Sequence, residues 1–226
     1  MYIHILTIFP EMFQQVFNCS IIKRAKAKKL VDIEILNIRD FSTQKQKSVD
    51  DYQYGGGSGM VMMIEPIVNA IEYIQKKKQV DEVVFLTPDG EKLSQLVVNE
   101  LTLKKNLIFI CGHYKGIDER IREHWVTREI SIGDYVLSGG EIPAMVLTDA
   151  MVRLIPGVLS DETSALSDSF QDGLLAPPVY TRPSSFRGKN VPNILLSGHQ
   201  QKIDDWRLEQ SVRRTKQRRP DLYEDN

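Results

Sequence analysis

The 226-residue sequence has little cysteine: Cys19 and Cys111 stand alone, with no C-x-x-C spacing. That excludes a disulfide framework and a cysteine-based zinc site, and reduced thiols in a cytoplasmic protein are expected. His4, His113, His124 and His199 form no metal-ligand spacing with them, so no metal-binding residues are assigned. No apolar run is long enough to span a membrane. The opening Met1–Phe9 is apolar, but it lacks a basic flank and stops at Pro10-Glu11, which reads as a strand and not a signal peptide. The glycine runs contain neither the Gly-Lys-Ser/Thr of a phosphate loop nor G-x-G-x-x-G. Net charge is also missing: 29 basic against 30 acidic residues leave a formal −1. Any affinity for nucleic acid must therefore come from where the charges lie.

What is present is an ordinary globular composition, 42% hydrophobic and 26% charged, long enough for one large or two small domains. Tyr2–Ile8 reads as a buried strand, followed by a helix from Pro10 with Met12, Phe13, Val16, Phe17 and Ile21 at helical period and a basic tail. Val31 to Ile38 is a second strand. From Arg39 to Met63 there is no periodicity, and Tyr54-Gly55-Gly56-Gly57-Ser58-Gly59 lies inside; a loop of that length is usually functional or disordered. An amphipathic helix over Glu65–Lys78, a strand over Val83–Leu86, a helix near Ser94–Leu103 and a strand over Leu107–Cys111 follow. A short helix near Ile117–Arg122 and a strand near Trp125–Ile132 complete a βαβα alternation, which predicts a mostly parallel sheet with helices on both faces.

Residues 129–157 organise the rest. The stretch alternates through Ile130 and Ile132 and crosses Gly133. It passes a second apolar run, Tyr135-Val136-Leu137, before Ser138-Gly139-Gly140. It then turns helical after Pro143, with Ala144, Leu147, Ala150, Met151 and Leu154 as its apolar positions. Val83–Gly90 and Leu107–Gly116 are likewise apolar strands running into glycine-bearing loops. Three strand-end loops of this kind predict one shared pocket, because open sheets bind ligands at the carboxyl ends of their strands.

Beyond Gly157 the composition changes. Residues 1–158 are expected to form the first domain, 159–171 a linker, and 172–226 a small, mainly helical domain ending in a helix from about His199 to Lys216. From Thr181 to Arg219 there are ten basic residues, Arg182, Arg207, Arg213 and Arg214 among them, against three acids. This is a basic patch on a near-neutral chain.

CGHYKGIDER, EISIGDYVLSGGEIPAMVLTDA and VRLIPGVL, with IFPEMF at one end and RRPDL at the other, resemble the bacterial tRNA (guanine-N(1))-methyltransferases of the SPOUT superfamily over nearly the whole chain. The resemblance implies a deep trefoil knot, S-adenosylmethionine held in the knot, and a homodimer with each active site at the subunit boundary. It implies cofactor contacts at Phe85, Leu86, Thr87, Pro88, Gly112, Tyr114, Gly116, Ile132, Gly133, Asp134, Tyr135, Val136, Leu137, Gly139, Gly140 and Pro143. It makes Asp168 the candidate base, reaching across from the partner subunit, and Arg153 the candidate cation. It places Gly57 and Gly59 near the RNA, with Arg182, Arg207, Arg213 and Arg214 holding tRNA. The substrate implied is the guanosine 3′ of the anticodon, with magnesium arriving on the substrate and not in a protein site. Neither a membrane nor DNA is expected as a partner. Two rivals share the scaffold: a SPOUT enzyme for another RNA, and a non-catalytic RNA-binding relative. The sequence departs from the family pattern at Lys115, where an acid is usual, at His199-Gln200 and at Ser160.

Overall fold

The computed structural model describes residues 1–159 and 168–224. The chain divides into two compact units, residues 1–160 and 161–226. Ser160 and the greater part of the expected linker, 160–167, lie outside the described residues.

In the first unit the strands are β1 (Tyr2–Thr7), β2 (Asp32–Asn37), β3 (Asp50–Tyr52), β4 (Met60–Met62), β5 (Glu82–Lys92), β6 (Asn106–Cys111) and β7 (Arg128–Ser131). The helices are α1 (Gln14–Phe17), α2 (Ser20–Ala27), α3 (Ile64–Gln75), α4 (Gln95–Thr102), α5 (Glu119–His124) and α6 (Glu141–Val152). Five strands form one sheet in the order β2-β1-β6-β5-β7, every pair parallel. Strand alternation sends successive side chains to opposite faces. Ile3, Ile5, Leu107 and Phe109 join a core with α2, α4 and α6, while Leu6, Ile8, Ile108 and Ile110 join a second core with α3 and α5. Both faces are covered, as the near-continuous apolar runs of a parallel sheet require.

Several local expectations are corrected. The first helix is broken: a 3-10 turn over Pro10–Phe13 and α1 end at Asn18, and α2 starts afresh from Ser20, which has φ +49°. The turn lets Phe13 and Phe17 on one side of it, and Ile22 and Ala25 on the other, reach the same core. The aperiodic stretch 39–63 contains a 3-10 turn over Ile38–Phe41 and an antiparallel pair, Asp50↔Met62 to Tyr52↔Met60. Strand β5 does not stop at Leu86. It continues through Pro88 and Gly90 to Lys92, with a register shift against β7 between Leu86 and Glu91. At Gly90 a Cβ would lie 2.6 Å from the Glu129 carbonyl carbon, so a side chain would keep these strands apart.

The second unit holds a short hairpin, β8 (Ser185–Phe186) with β9 (Lys189–Asn190), a 3-10 turn over Asn193–Leu196, the helix α7 (Gln200–Arg218) and one turn, α8 (Asp221–Glu224). The hairpin was not legible as strands. The buried stripe of α7 is largely polar, with Gln210, Ser211 and Thr215 beside Ile203. Thr215 Oγ1 accepts from the Leu175 amide at 2.9 Å, which gives that stripe a hydrogen-bonded partner.

Candidate active site

The three glycine-bearing segments meet. Residues 85–89 at the bulged part of β5, 112–117 after β6, and 130–133 and 135–140 at and beyond the end of β7 line a single cavity of about 500 Å³, with Pro143 of α6 at its edge. That volume suits a small cofactor. Every position expected to line a pocket does so except Asp134. Asp134 faces out, its carboxylate 3.8 Å from Lys92 Nζ. Tyr135, Val136 and Leu137 form no strand; they remain exposed as part of the cavity wall.

The crossing of two of these segments is very close. The Gly140 amide donates to the Gly112 carbonyl at 2.9 Å, and Gly139 pairs with His113 in an isolated antiparallel bridge. A Cβ on Gly140 would sit 2.7 Å from the Cys111 Cα, and one on Gly139 would overlap the His113 ring and the Glu141 carboxylate. The glycine pair is required by proximity.

Two charged clusters beside the cavity escaped the sequence reading. Glu141, 1% exposed in the first turn of α6, accepts from Thr7 Oγ1 at 2.7 Å and pairs with His113 Nε2 at 2.8 Å. Its one signal was an acid placed among the apolar positions Ile142-Pro143-Ala144, where burial requires partners. Arg122 of α5 lies 2.7 Å from both Asp89 and Glu129 and 3.5 Å from Glu119, with its guanidinium over the Phe85 ring. Glu129 first, and Asp89 with it, raise the Arg122 pKa against the opposing effect of burial. The Thr87 hydroxyl and then Arg122 hold the Asp89 carboxyl below its usual range. No periodicity marks such a cluster, since Asp89 and Arg122 are 33 residues apart. Cys111 is fully buried in the core under α6, and burial pushes its thiol well above the ordinary value, so it is inert.

The remaining sequence candidates lie elsewhere. Gly57 and Gly59 sit on the loop between β3 and β4, both with positive φ. Arg153 caps the far end of α6, which carries the chain roughly 15 Å beyond Pro143 at the cavity edge, at 1.5 Å per residue. Asp168, half-buried, belongs to the second unit, as do Arg182, Arg207, Arg213 and Arg214. Arg182, Arg207 and Arg213 are exposed; Arg214 is half-buried, with an Nε that lacks a hydrogen-bond partner. Among the described residues, no group of three or more His, Cys, Asp or Glu is arranged to hold a metal ion.

The family model for tRNA (Guanine-1)-methyltransferase TrmD matches residues 1–225. The chain belongs to this family. Relatives named tRNA (guanine-N(1)-)-methyltransferase align along their full lengths. That of Flavobacterium johnsoniae is 55% identical over 226 residues, and that of Bacteroides thetaiotaomicron is 60% identical over 225. The Porphyromonas gingivalis relative is also 60% identical over 225 residues, with all of both chains covered. The parallel α/β sheet with its strand-end cavity is the architecture expected of a TrmD-family, SPOUT-class protein.

Proposed function

We propose that the chain transfers a methyl group from S-adenosylmethionine to N(1) of the guanosine 3′ of the anticodon in tRNA. The observation that carries this reading is the convergence of all but one of the expected cofactor positions on one cavity, in a chain of the tRNA (guanine-1)-methyltransferase family. The cavity fits the cofactor chemically. Leu86, Val136, Leu137 and Pro143 offer apolar surface to an adenine ring, and the glycine-bearing segments offer backbone donors and acceptors at close range. When bound, S-adenosylmethionine supplies an electrophilic methyl group.

The protein's own task follows from the substrate. Guanine N(1) carries a proton and is a poor nucleophile until it is removed. Asp168 is the base that takes that proton, and the Arg153 guanidinium steadies negative charge building on the exocyclic oxygen. The distance of Arg153 from the cavity edge of its own chain favours a site completed by a second copy, with Asp168 contributed by the partner subunit. The close crossing of Gly112 and Gly140 is where the family's trefoil knot would tighten. The basic side chains Arg182, Arg207, Arg213 and Arg214 hold tRNA through phosphates, which gives affinity without base choice. Magnesium, where needed, enters with the RNA.

The test is methylation of an unmodified tRNA transcript by the purified protein with isotope-labelled S-adenosylmethionine, followed by nucleoside mass spectrometry and mapping of the modified position. The expected product is N(1)-methylguanosine 3′ of the anticodon. Asp168→Ala should lower kcat by about 10²- to 10⁴-fold, the range for a lost general base, with cofactor affinity kept. A methyl group elsewhere, none at all, or an unchanged kcat in the variant would overturn the corresponding part of the reading.

A further inference from the structure

Lys115 stands at the cavity rim between Tyr114 and Gly116. Three backbone hydrogen bonds tie this rim to β4. The Lys115 amide donates to the Met60 carbonyl, the Met62 amide to the Gly116 carbonyl and the Asp118 amide to the Met62 carbonyl, each at 3.0 Å. The aliphatic stem of Lys115 lies along Gly59: a Cβ there would be 2.9 Å from Lys115 Cγ and 3.1 Å from its Cε. The lysine is thus braced by the glycine loop on one side and by β4 on the other.

Its charge is uncommitted. The side chain is exposed and makes no ion pair among the described residues. The acids around the rim have other partners. Asp89, Glu119 and Glu129 surround Arg122, and Asp118 holds Arg120 at 2.7 Å. On the same hairpin Tyr52 and Tyr54 are 80% and 100% exposed, aromatic faces of the kind on which unpaired bases stack.

An exposed ammonium with a braced stem is a fixed point charge that suits an anionic oxygen. Two sources of such an oxygen come to this rim under the proposed function, on which this inference rests: the carboxylate of the methyl donor and a phosphodiester of the RNA. The stem laid along a hairpin that also carries two exposed tyrosines favours the second. We propose that Lys115 is a phosphate-binding residue for the RNA substrate, seated where the cavity rim and the glycine hairpin join.

The experiment measures binding without methyl transfer. Filter binding of tRNA at a series of salt concentrations and calorimetry with S-adenosylmethionine are run on the wild-type protein, Lys115→Gln and Lys115→Arg. Lys115→Gln should weaken tRNA binding about three- to tenfold at low salt and make the slope of log K against log salt shallower by roughly 0.7–0.9, one phosphate contact. Lys115→Arg should keep both values, and cofactor affinity should stay within about twofold in each variant, because a rim side chain whose stem lies along Gly59 directs its charge to the RNA and not to the donor. Wild-type affinity and slope in Lys115→Gln would overturn the proposal, and so would equal losses in both variants. Weakened cofactor binding with an unchanged salt slope would assign the anion to the donor's carboxylate and overturn it as well. A wild-type protein that binds tRNA but methylates nothing would refute the proposed function while leaving the salt slope readable.

Discussion

Gly140 shows how far one residue's identity can be set by its surroundings. Its φ of −80° is open to any amino acid, yet a Cβ would press on the Cys111 Cα at 2.7 Å. Backbone cannot swing aside as a flexible side chain can, so Gly140→Ala should push the 133–140 segment off the strand end. Overpacking of this kind costs about 1–3 kcal/mol. The expected outcome is a folded protein with a lowered Tm and S-adenosylmethionine affinity reduced about tenfold or more, read by thermal denaturation and calorimetry; tenfold corresponds to about 1.4 kcal/mol. Wild-type affinity would mean that the crossing is not what shapes the cavity. The glycine pair was legible in the sequence because it follows an apolar strand and precedes a helical period. Its neighbours His113, Glu141 and Thr7 were not, because Thr7 and Glu141 meet across 134 residues and no local pattern records such a contact.

Strands were more legible than the segments between them, and β1 shows both the rule and its exception. Its alternation divides Ile3 and Ile5 from Leu6 between two cores, but His4 occupies a buried position, 5% exposed. Its Nδ1 meets Glu34 of β2 at 2.8 Å, while Nε2 has no hydrogen-bond partner. Burial lowers the His4 pKa despite the opposing pull of Glu34. Below about pH 6.5 the unfolded chain therefore binds a proton that the folded chain resists. Stability should fall as pH drops from the unfolded value through the lowered folded one, with a slope of at most about 1.4 kcal/mol per pH unit for one proton. Urea denaturation at pH 7.5 and pH 5.5 should show a smaller loss in His4→Leu than in the wild-type protein; equal losses would remove His4 from the account. The elements misread in the sequence, the break at Asn18–Ser20, the β3–β4 pair and the extension of β5, share a cause. Each is set by partners distant in sequence: the common core for the first, the rim residues 115–118 for β4, and β7 for the far half of β5.

Across the molecule, one apolar surface stands out. Met12 and Val16 are 40% and 42% exposed, Ile142 and Val146 46% and 43%, and the turn carrying Met12 packs beside α6. Apolar side chains left open on the turn, on α1 and on α6 suit an interface between copies. If the active site is shared as proposed, Val146→Glu should convert a dimer seen by light scattering into a monomer of unchanged far-UV spectrum and abolish methyl transfer. A monomeric wild-type protein with full activity would sink the shared site. The strand order β2-β1-β6-β5-β7 also sets a timetable for synthesis. Strand β1 is complete at Thr7, while β6, its neighbour on the inner side, begins at Asn106. At roughly 5–20 residues per second on the ribosome, the innermost edge of the nascent sheet waits about 5–20 s for its partner. Until then β1 is paired on its β2 side alone, so its open edge is where a stalled or truncated chain would aggregate.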